Sequence, residues 1–80
     1  MNEEIKSILL PHFQQFTEVA SELDLYTFVQ NALETGTKIF QMRQDYGLGN
    51  HDKDQIAEVW NALYLEHVIN RNPVLTATRP

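Results

Sequence analysis

The sequence lacks the residues that reinforce small proteins covalently or through bound metal. Its 80 residues include no cysteine, so neither a disulfide framework nor a thiolate metal site can form. A single hydrophobic core is only just sufficient at this length. We therefore expect the chain either to pack tightly or to find a partner.

Long apolar runs and basic residues are scarce as well. Apolar residues are interrupted throughout, so no segment is predicted to cross a bilayer, and the first residues lack the basic start and apolar run of a secretory signal. We expect a cytoplasmic protein without a membrane partner. Six Lys and Arg residues against eleven Asp and Glu residues give a net charge of −5, which opposes direct binding to nucleic acid.

Acidic residues dominate the segment between Lys6 and Lys38, which contains no other Lys or Arg. We interpret them as a solvated surface that keeps the protein in solution. The alternative is that they dock a basic partner. We call this set the acidic face, and it consists of Glu18, Glu22, Asp24 and Glu34.

Apolar residues recur with the period of an α-helix in three segments. A change in the phase of this pattern after Leu23, the Gly47–Asn50 segment and Pro73 mark the boundaries. The fold class is therefore all-α, a small three-helix bundle in a single domain of residues 1–72, followed by a short extended or disordered tail of residues 73–80. The predicted helices cover residues 3–23, 25–46 and 53–70.

Pro11 and Gly36 are unfavourable residues inside the predicted helices. Pro11 lies on the polar side of the first helix and predicts either a kink or a split into two helices. Gly36 lies in the apolar stripe of the second helix, where its small size lets another helix approach closely. The alternative is a weak point, since glycine costs about 1 kcal/mol relative to alanine in a helix. The stripes that we expect in the core include Val19 and Leu33.

Capping residues support these helix boundaries. Ser21 and Asp24 are the two candidates for the N-cap of the second helix. Gly47 is interpreted as the residue just past its C-terminal end. Asp52, with Gln55 three residues later, resembles a capping box at the start of the third helix.

The third helix carries apolar residues on more than one side. Its main stripe is sufficient to close the bundle. A smaller group on the far side has no evident partner within so short a chain, and such a surface usually marks an interaction site. It could pack on a second copy of the chain, on another protein, or on the C-terminal tail folded back. The main stripe consists of Ile56, Val59, Trp60, Leu63 and His67. The second group, which we call the outer strip, consists of Ala62, Leu65 and Ile69.

Arg43 is the one charged residue in the apolar stripe of the second helix. We interpret it as a side chain that extends to solvent or neutralises the helix C-terminus. The alternative is an interface anchor with Tyr46 as its companion, because Arg and aromatic residues are common at binding hot spots.

The sequence contains no recognisable catalytic, zinc-binding or phosphate-binding motif. His12 and His67 lie in apolar stripes and could meet in the core. Neither has a further His, Asp or Glu at helical spacing to complete a metal site. We therefore expect ordinary core histidines, with no metal and no cofactor.

These observations predict a non-enzymatic regulatory or adaptor protein of the inhibitor, immunity or modulator type. It would act by binding another protein and would form a homodimer through the third helix. The alternative is an acidic inhibitor that imitates DNA and occupies a DNA-binding protein. A helix-turn-helix protein is less favoured because the third helix has only Lys53, with Arg71 just past its end, whereas a DNA-reading helix is basic.

Overall fold

The computed structural model of the chain describes residues 2–20 and 22–71. These residues form three α-helices and one 3₁₀ helix with no strand, which confirms the predicted all-α class and is consistent with a small helical bundle. The predicted tail, residues 73–80, and the candidate cap Ser21 lie outside the described residues. The elements are α1 (Glu3–Ala20), α2 (Leu25–Gln41), the 3₁₀ helix (Arg43–Tyr46) and α3 (Lys53–Arg71).

α1 begins after Asn2, whose Oδ1 accepts hydrogen bonds from the backbone N–H groups of Glu4 and Ile5 at 3.0 and 3.1 Å. These bonds satisfy donors that the first turn of a helix leaves unpaired. The helix continues through Pro11, so the predicted split is absent, while a kink at this residue stays a prediction. α1 ends at Ala20, before its predicted end at residue 23.

Asp24 is the N-cap of α2, which confirms one of the two candidates. Its Oδ1 accepts a hydrogen bond from the backbone N–H of Thr27 at 2.8 Å, and its Oδ2 accepts one from the Thr27 hydroxyl at 3.1 Å. The α-helix ends at Gln41 and not at residue 46, because Met42 leaves the helical conformation with φ −110° and ψ 32°. The chain then tightens into the 3₁₀ helix.

The end of the 3₁₀ helix is closed by two backbone hydrogen bonds. The N–H of Gly47 donates to the Gln44 carbonyl at 3.3 Å, and the N–H of Leu48 donates to the Arg43 carbonyl at 2.8 Å. This is the pattern of a Schellman motif, and the φ of 75° at Gly47 is the left-handed conformation that the motif requires. Gly47 therefore follows the end of the 3₁₀ helix, whose residues the sequence pattern assigns to the second α-helix. Leu48 is fully buried, so the loop supplies a core residue that the apolar pattern did not identify.

α3 begins after Asp52. The Oδ1 atom of Asp52 accepts a hydrogen bond from the backbone N–H of Asp54 at 2.6 Å, and its carbonyl accepts one from the N–H of Ile56 at 3.1 Å. The helix then continues from Lys53 to Arg71, which agrees closely with the predicted residues 53–70.

The core is organised around Trp60, which is fully buried. Its indole Nε1 donates to the backbone carbonyl of Ala32 in α2 at 2.8 Å. A Cβ added to Gly36 would lie only 2.7 Å from Cδ1 of the indole, so the missing side chain is what lets Trp60 reach α2. This confirms that Gly36 permits close packing. The other buried apolar residues are Ile5, Leu9, Phe13, Ala20, Phe28, Ala32, Ile39, Leu48, Ile56, Val59, Leu63 and Tyr64.

α2 and α3 are antiparallel, and α1 packs against both. Gly36 lies against Trp60, whereas Phe28, earlier in α2, stacks on His67, later in α3. The grooves that α1 shares with its neighbours are lined by Thr35 from α2 in one case and by Glu66 and His67 from α3 in the other. The flanks of α2 and α3 that are remote from these grooves form the outer side of the bundle.

Candidate protein-binding surface

The outer strip lies on the side of α3 opposite the core. Leu65 is 51% exposed and Ile69 is 45% exposed, while Ala62 is half-buried. On a helical wheel Leu65 and Ile69 are roughly 140° and 180° from Trp60. The rotation of α3 that buries the indole therefore also turns these two side chains towards solvent, where they are open to a partner.

Two apolar side chains of α2 are exposed as well. Leu33 is 44% exposed, so its expected place in the core is wrong, and Tyr26 is 75% exposed. On the helical wheel of α2 both lie on the flank remote from Thr35, and hence from α1. In a three-helix bundle the two neighbouring helices cover only part of the circumference of each helix. Leu33 lies at the edge of the covered part of α2. We call Tyr26, Leu33 and the outer strip together the outer face.

Val19 also departs from its expected place in the core. It is 83% exposed, at the groove between α1 and α2 whose lining includes Phe16 and Ile39. Phe16 of α1 and Ile39 of α2 line the inside of this groove, and Val19 lies at its open edge. Its exposure is on a different side of the bundle from the outer face.

Arg43 and Tyr46 lie in the 3₁₀ helix, and both are half-buried. Arg43 Nη1 donates to the Phe40 carbonyl at 3.0 Å and so satisfies an acceptor near the C-terminal end of α2, in line with the structural interpretation. Tyr46 meets His12 edge-to-face, with the ring centroids 4.8 Å apart. These contacts give each residue a role within the bundle, and a role at an interface stays a prediction.

His67 lies between aromatic rings of two helices. Its ring stacks on Phe28 with a centroid distance of 4.7 Å and meets Phe13 edge-on at 6.1 Å. Burial, followed by the positive charge of Arg71, lowers the pKa of His67 below the ordinary value for an imidazole. His12 lines the opposite groove of α1, so the two histidines have separate surroundings.

Arg71 ties the end of α3 to the turn between α1 and α2. Its Nη2 donates to the Leu23 carbonyl, and its guanidinium carbon lies 5.4 Å from the centroid of the Phe28 ring. The sequence pattern places Arg71 just past the end of the third helix and predicts no contact for it. The signal that identifies its role is a basic residue in the last turn, where the helix dipole favours positive charge.

All four residues of the acidic face are exposed. Asp24 is used by its own helix, and the hydrogen bonds from Thr27 lower the pKa of its carboxyl. The other three members form no ion pair with any residue that the structure describes; the pair found there joins His51 Nε2 to Glu4 Oε1 at 3.4 Å. Their charges therefore contribute negative potential around the bundle.

The residues that the structure describes contain no cluster of three His, Asp or Glu side chains able to hold a metal ion. Within the same ranges, no helix has the length and apolar character needed to cross a membrane. Comparison of the chain with known protein families, with curated proteins and with solved structures finds no match.

Proposed function

We propose that this protein acts without catalysis, by binding another protein, and that it forms a homodimer through α3. In this proposal it is a small regulatory or adaptor protein of the inhibitor, immunity or modulator type. The observation that carries the proposal is the outer strip. Leu65 and Ile69 hold large apolar surface in water on a helix whose opposite side is already filled by the core.

The gain from covering Leu65 and Ile69 sets the strength of association. Full burial of such a side chain contributes about 1.5–3 kcal/mol, and each is half exposed, so covering it gains about 1 kcal/mol. Two copies together then gain about 4 kcal/mol. Association costs at least about 4 kcal/mol in lost freedom, so burial of this strip alone only offsets that cost and does not hold a dimer at millimolar concentration. A dimer in that range must bury further apolar surface, for which Leu33 and Tyr26 of α2 are the exposed candidates.

Light scattering coupled to size-exclusion chromatography tests this proposal, with protein loaded from about 10 μM to about 1 mM to cover weak association. We expect the mean mass to rise towards that of a dimer as concentration increases. Leu65→Glu and Ile69→Glu bring a charge into the contact and should each keep the protein monomeric.

Ser7→Glu is the control, because it adds the same charge at an exposed position of α1 that lines neither groove. It should leave the concentration dependence of the mass close to that of the unmodified chain. A monomer at every concentration would refute the homodimer. Equal loss of association in all three variants would show that net charge matters and the outer strip does not.

An acidic inhibitor that imitates DNA is the second candidate function. Three exposed members of the acidic face without an ion pair to any described residue favour it. A salt titration separates the two, because affinity for a basic DNA-binding protein should collapse with added salt, while association through the outer strip should not weaken. Direct DNA reading by α3 is disfavoured, since Asp54, Glu58 and Glu66 are exposed along it.

A further inference from the structure

We propose that the C-terminal end of α3 is a latch that a proton opens. Protonation of His67 drives its ring away from Phe28 and releases the last turn of α3, residues 68–71, from the turn between α1 and α2. The inference is independent of the proposed self-association, because these contacts lie within a single chain.

Two groups that can both carry a positive charge lie against one aromatic ring in the closed latch. The imidazole of His67 stacks on Phe28 with the centroids 4.7 Å apart, and the guanidinium carbon of Arg71 lies 5.4 Å from the centroid of the same ring. Arg71 Nη2 also donates to the Leu23 carbonyl, which ties the helix end to the turn. The end of α3 is therefore held beside a ring that it shares with a titratable neighbour.

One nitrogen of the imidazole makes this contact depend on a proton. Nε2 of His67 is buried, and no residue that the structure describes gives it a hydrogen-bond partner. In the neutral ring this nitrogen can be the one that carries no hydrogen. Protonation makes both ring nitrogens donors, so a charged N–H group would be buried without an acceptor. The closed latch therefore accommodates the neutral ring much better than the imidazolium.

The charges around His67 do not compensate for a positive ring. Burial, and then the charge of Arg71, lower the pKa of His67. α1 contributes Lys6 to the groove that His67 lines. Glu66 lines the same groove, but neighbouring side chains on a helix point about 100° apart, and it forms no ion pair with the imidazole. On the side of α2, Asp24 is exposed and caps its own helix.

Opening of the latch relieves the cost of the buried charge. His67 lines the open groove between α1 and α3, so water reaches the charged ring once it leaves Phe28. Its departure removes packing that holds the last turn against α2, and a helix end with few contacts opens more readily than the core. Release uncovers Phe28, which is fully buried in the closed latch. Acid should therefore expose aromatic surface that is covered at neutral pH.

Two NMR measurements between about pH 7.5 and about pH 5 test the latch together. Titration of the imidazole signals gives the pKa of His67 in the folded protein. Amide hydrogen exchange, corrected for the intrinsic rate at each pH, gives the opening constant of residues 68–71. In the open latch the ring should titrate near the ordinary value of about 6.5. Acidification should therefore raise the opening constant about tenfold for each pH unit between the folded pKa and this value.

Low concentrations of urea separate local opening from global unfolding. Release of one helical turn exposes little surface, so the exchange of residues 68–71 should hardly depend on urea. Global unfolding exposes the whole core, and exchange by that route should rise steeply with urea.

Three variants assign the effect to the latch. His67→Phe keeps an aromatic ring beside Phe28 and cannot bind a proton, so the opening constant of residues 68–71 should no longer depend on pH. His12→Phe is the matched control, because it removes the histidine of the opposite groove of α1 and should retain the pH dependence. Arg71→Gln should raise the pKa of His67, since it removes a neighbouring positive charge. Circular dichroism confirms that each variant retains its helices.

Four results would overturn the latch. A folded pKa of His67 at or above about 6.5 would show that the closed site holds the imidazolium as well as water does. A lowered pKa with pH-independent exchange of residues 68–71 would show that the helix end opens without releasing the ring. Exchange that proceeds only by the urea-dependent route would leave no local opening. A pH dependence that persists in His67→Phe would assign it to another group.

Discussion

Replacement of Gly36 by alanine should destabilise the protein, although the same change usually stabilises a helix. Alanine is favoured over glycine by about 1 kcal/mol in a helix interior. At this position, however, an added Cβ would lie 2.7 Å from Cδ1 and 2.8 Å from Nε1 of Trp60, and 3.2 Å from Cζ of Phe40. Trp60 is fully buried, so the indole cannot move away without displacing other core atoms.

The magnitude follows from two penalties and one gain. Overpacking of a well-filled core costs about 1–3 kcal/mol. Displacement of the indole weakens the hydrogen bond from Trp60 Nε1 to the Ala32 carbonyl, and the loss of such a bond adds about 1 kcal/mol. The helix-propensity gain of about 1 kcal/mol offsets this second term, which leaves a net loss of about 1–3 kcal/mol. For so small a domain the melting temperature should fall by about 4–8 °C for each kcal/mol.

Urea unfolding measures the effect, followed by the fluorescence of the single tryptophan and by far-ultraviolet circular dichroism. Low protein concentration keeps self-association from contributing to the free energy of unfolding. Gly49→Ala is the matched control. A Cβ there would lie 2.9 Å from Cγ of Gln44, an exposed and flexible side chain that can move, so the expected change is within about 0.5 kcal/mol.

A urea midpoint for Gly36→Ala equal to or above that of the unmodified protein would refute the close-packing argument. A double-mutant cycle locates the strain. In the Trp60→Phe background the smaller ring leaves room for the added methyl group, so Gly36→Ala should be less destabilising there. The same loss in both backgrounds would assign the strain to a neighbour other than the indole.

The two pKa shifts lead to two further expectations. Because the pKa of His67 is lowered in the folded state, the free energy of unfolding should fall as pH drops below the ordinary imidazole pKa of about 6.5 and towards the lower folded value. Urea titrations across this range should show a flatter profile for His67→Gln, and an unchanged slope would assign the loss to another group. The lowered pKa of Asp24 means that its stabilisation is present above the ordinary carboxyl pKa and is lost as pH falls through the lower folded value. In thermal melts Asp24→Ala should lower the melting temperature at neutral pH, whereas Asp24→Asn should retain the cap and remove this acid-dependent loss; no change for Asp24→Ala would contradict the capping role.

The helices and most of their ends could be predicted because the signals are local. Asp24 and Gly47 act through hydrogen bonds and backbone angles that residues a few positions away complete. The end of α2 could not be placed in the same way. The apolar period continues through Tyr46, and over the four residues of the 3₁₀ helix a period of 3.0 cannot be told from one of 3.6. Leu48 was missed because it is buried by the Schellman turn and belongs to no stripe.

The candidate surface could be predicted only in part. The wheel of α3 places Leu65 and Ile69 opposite Trp60, and the structure leaves both exposed. A wheel gives the direction of a side chain but not whether another helix covers that direction. The apolar pattern therefore predicts Leu33 and Val19 in the core, although the bundle leaves both side chains exposed.

The burial of Trp60 and the exposure of the outer strip are consequences of one orientation of α3. The hydrogen bond to Ala32 and the fit against Gly36 fix the rotation of the helix about its axis. Leu65 lies roughly 140° from Trp60, so a rotation that buries it must withdraw the indole from α2 and leave its N–H without an acceptor. Rotation of α3 therefore cannot relieve the exposure, and a contact from outside the bundle can. It follows that Gly36→Ala, which displaces the indole, should weaken self-association as well as folding, whereas Gly49→Ala should change neither.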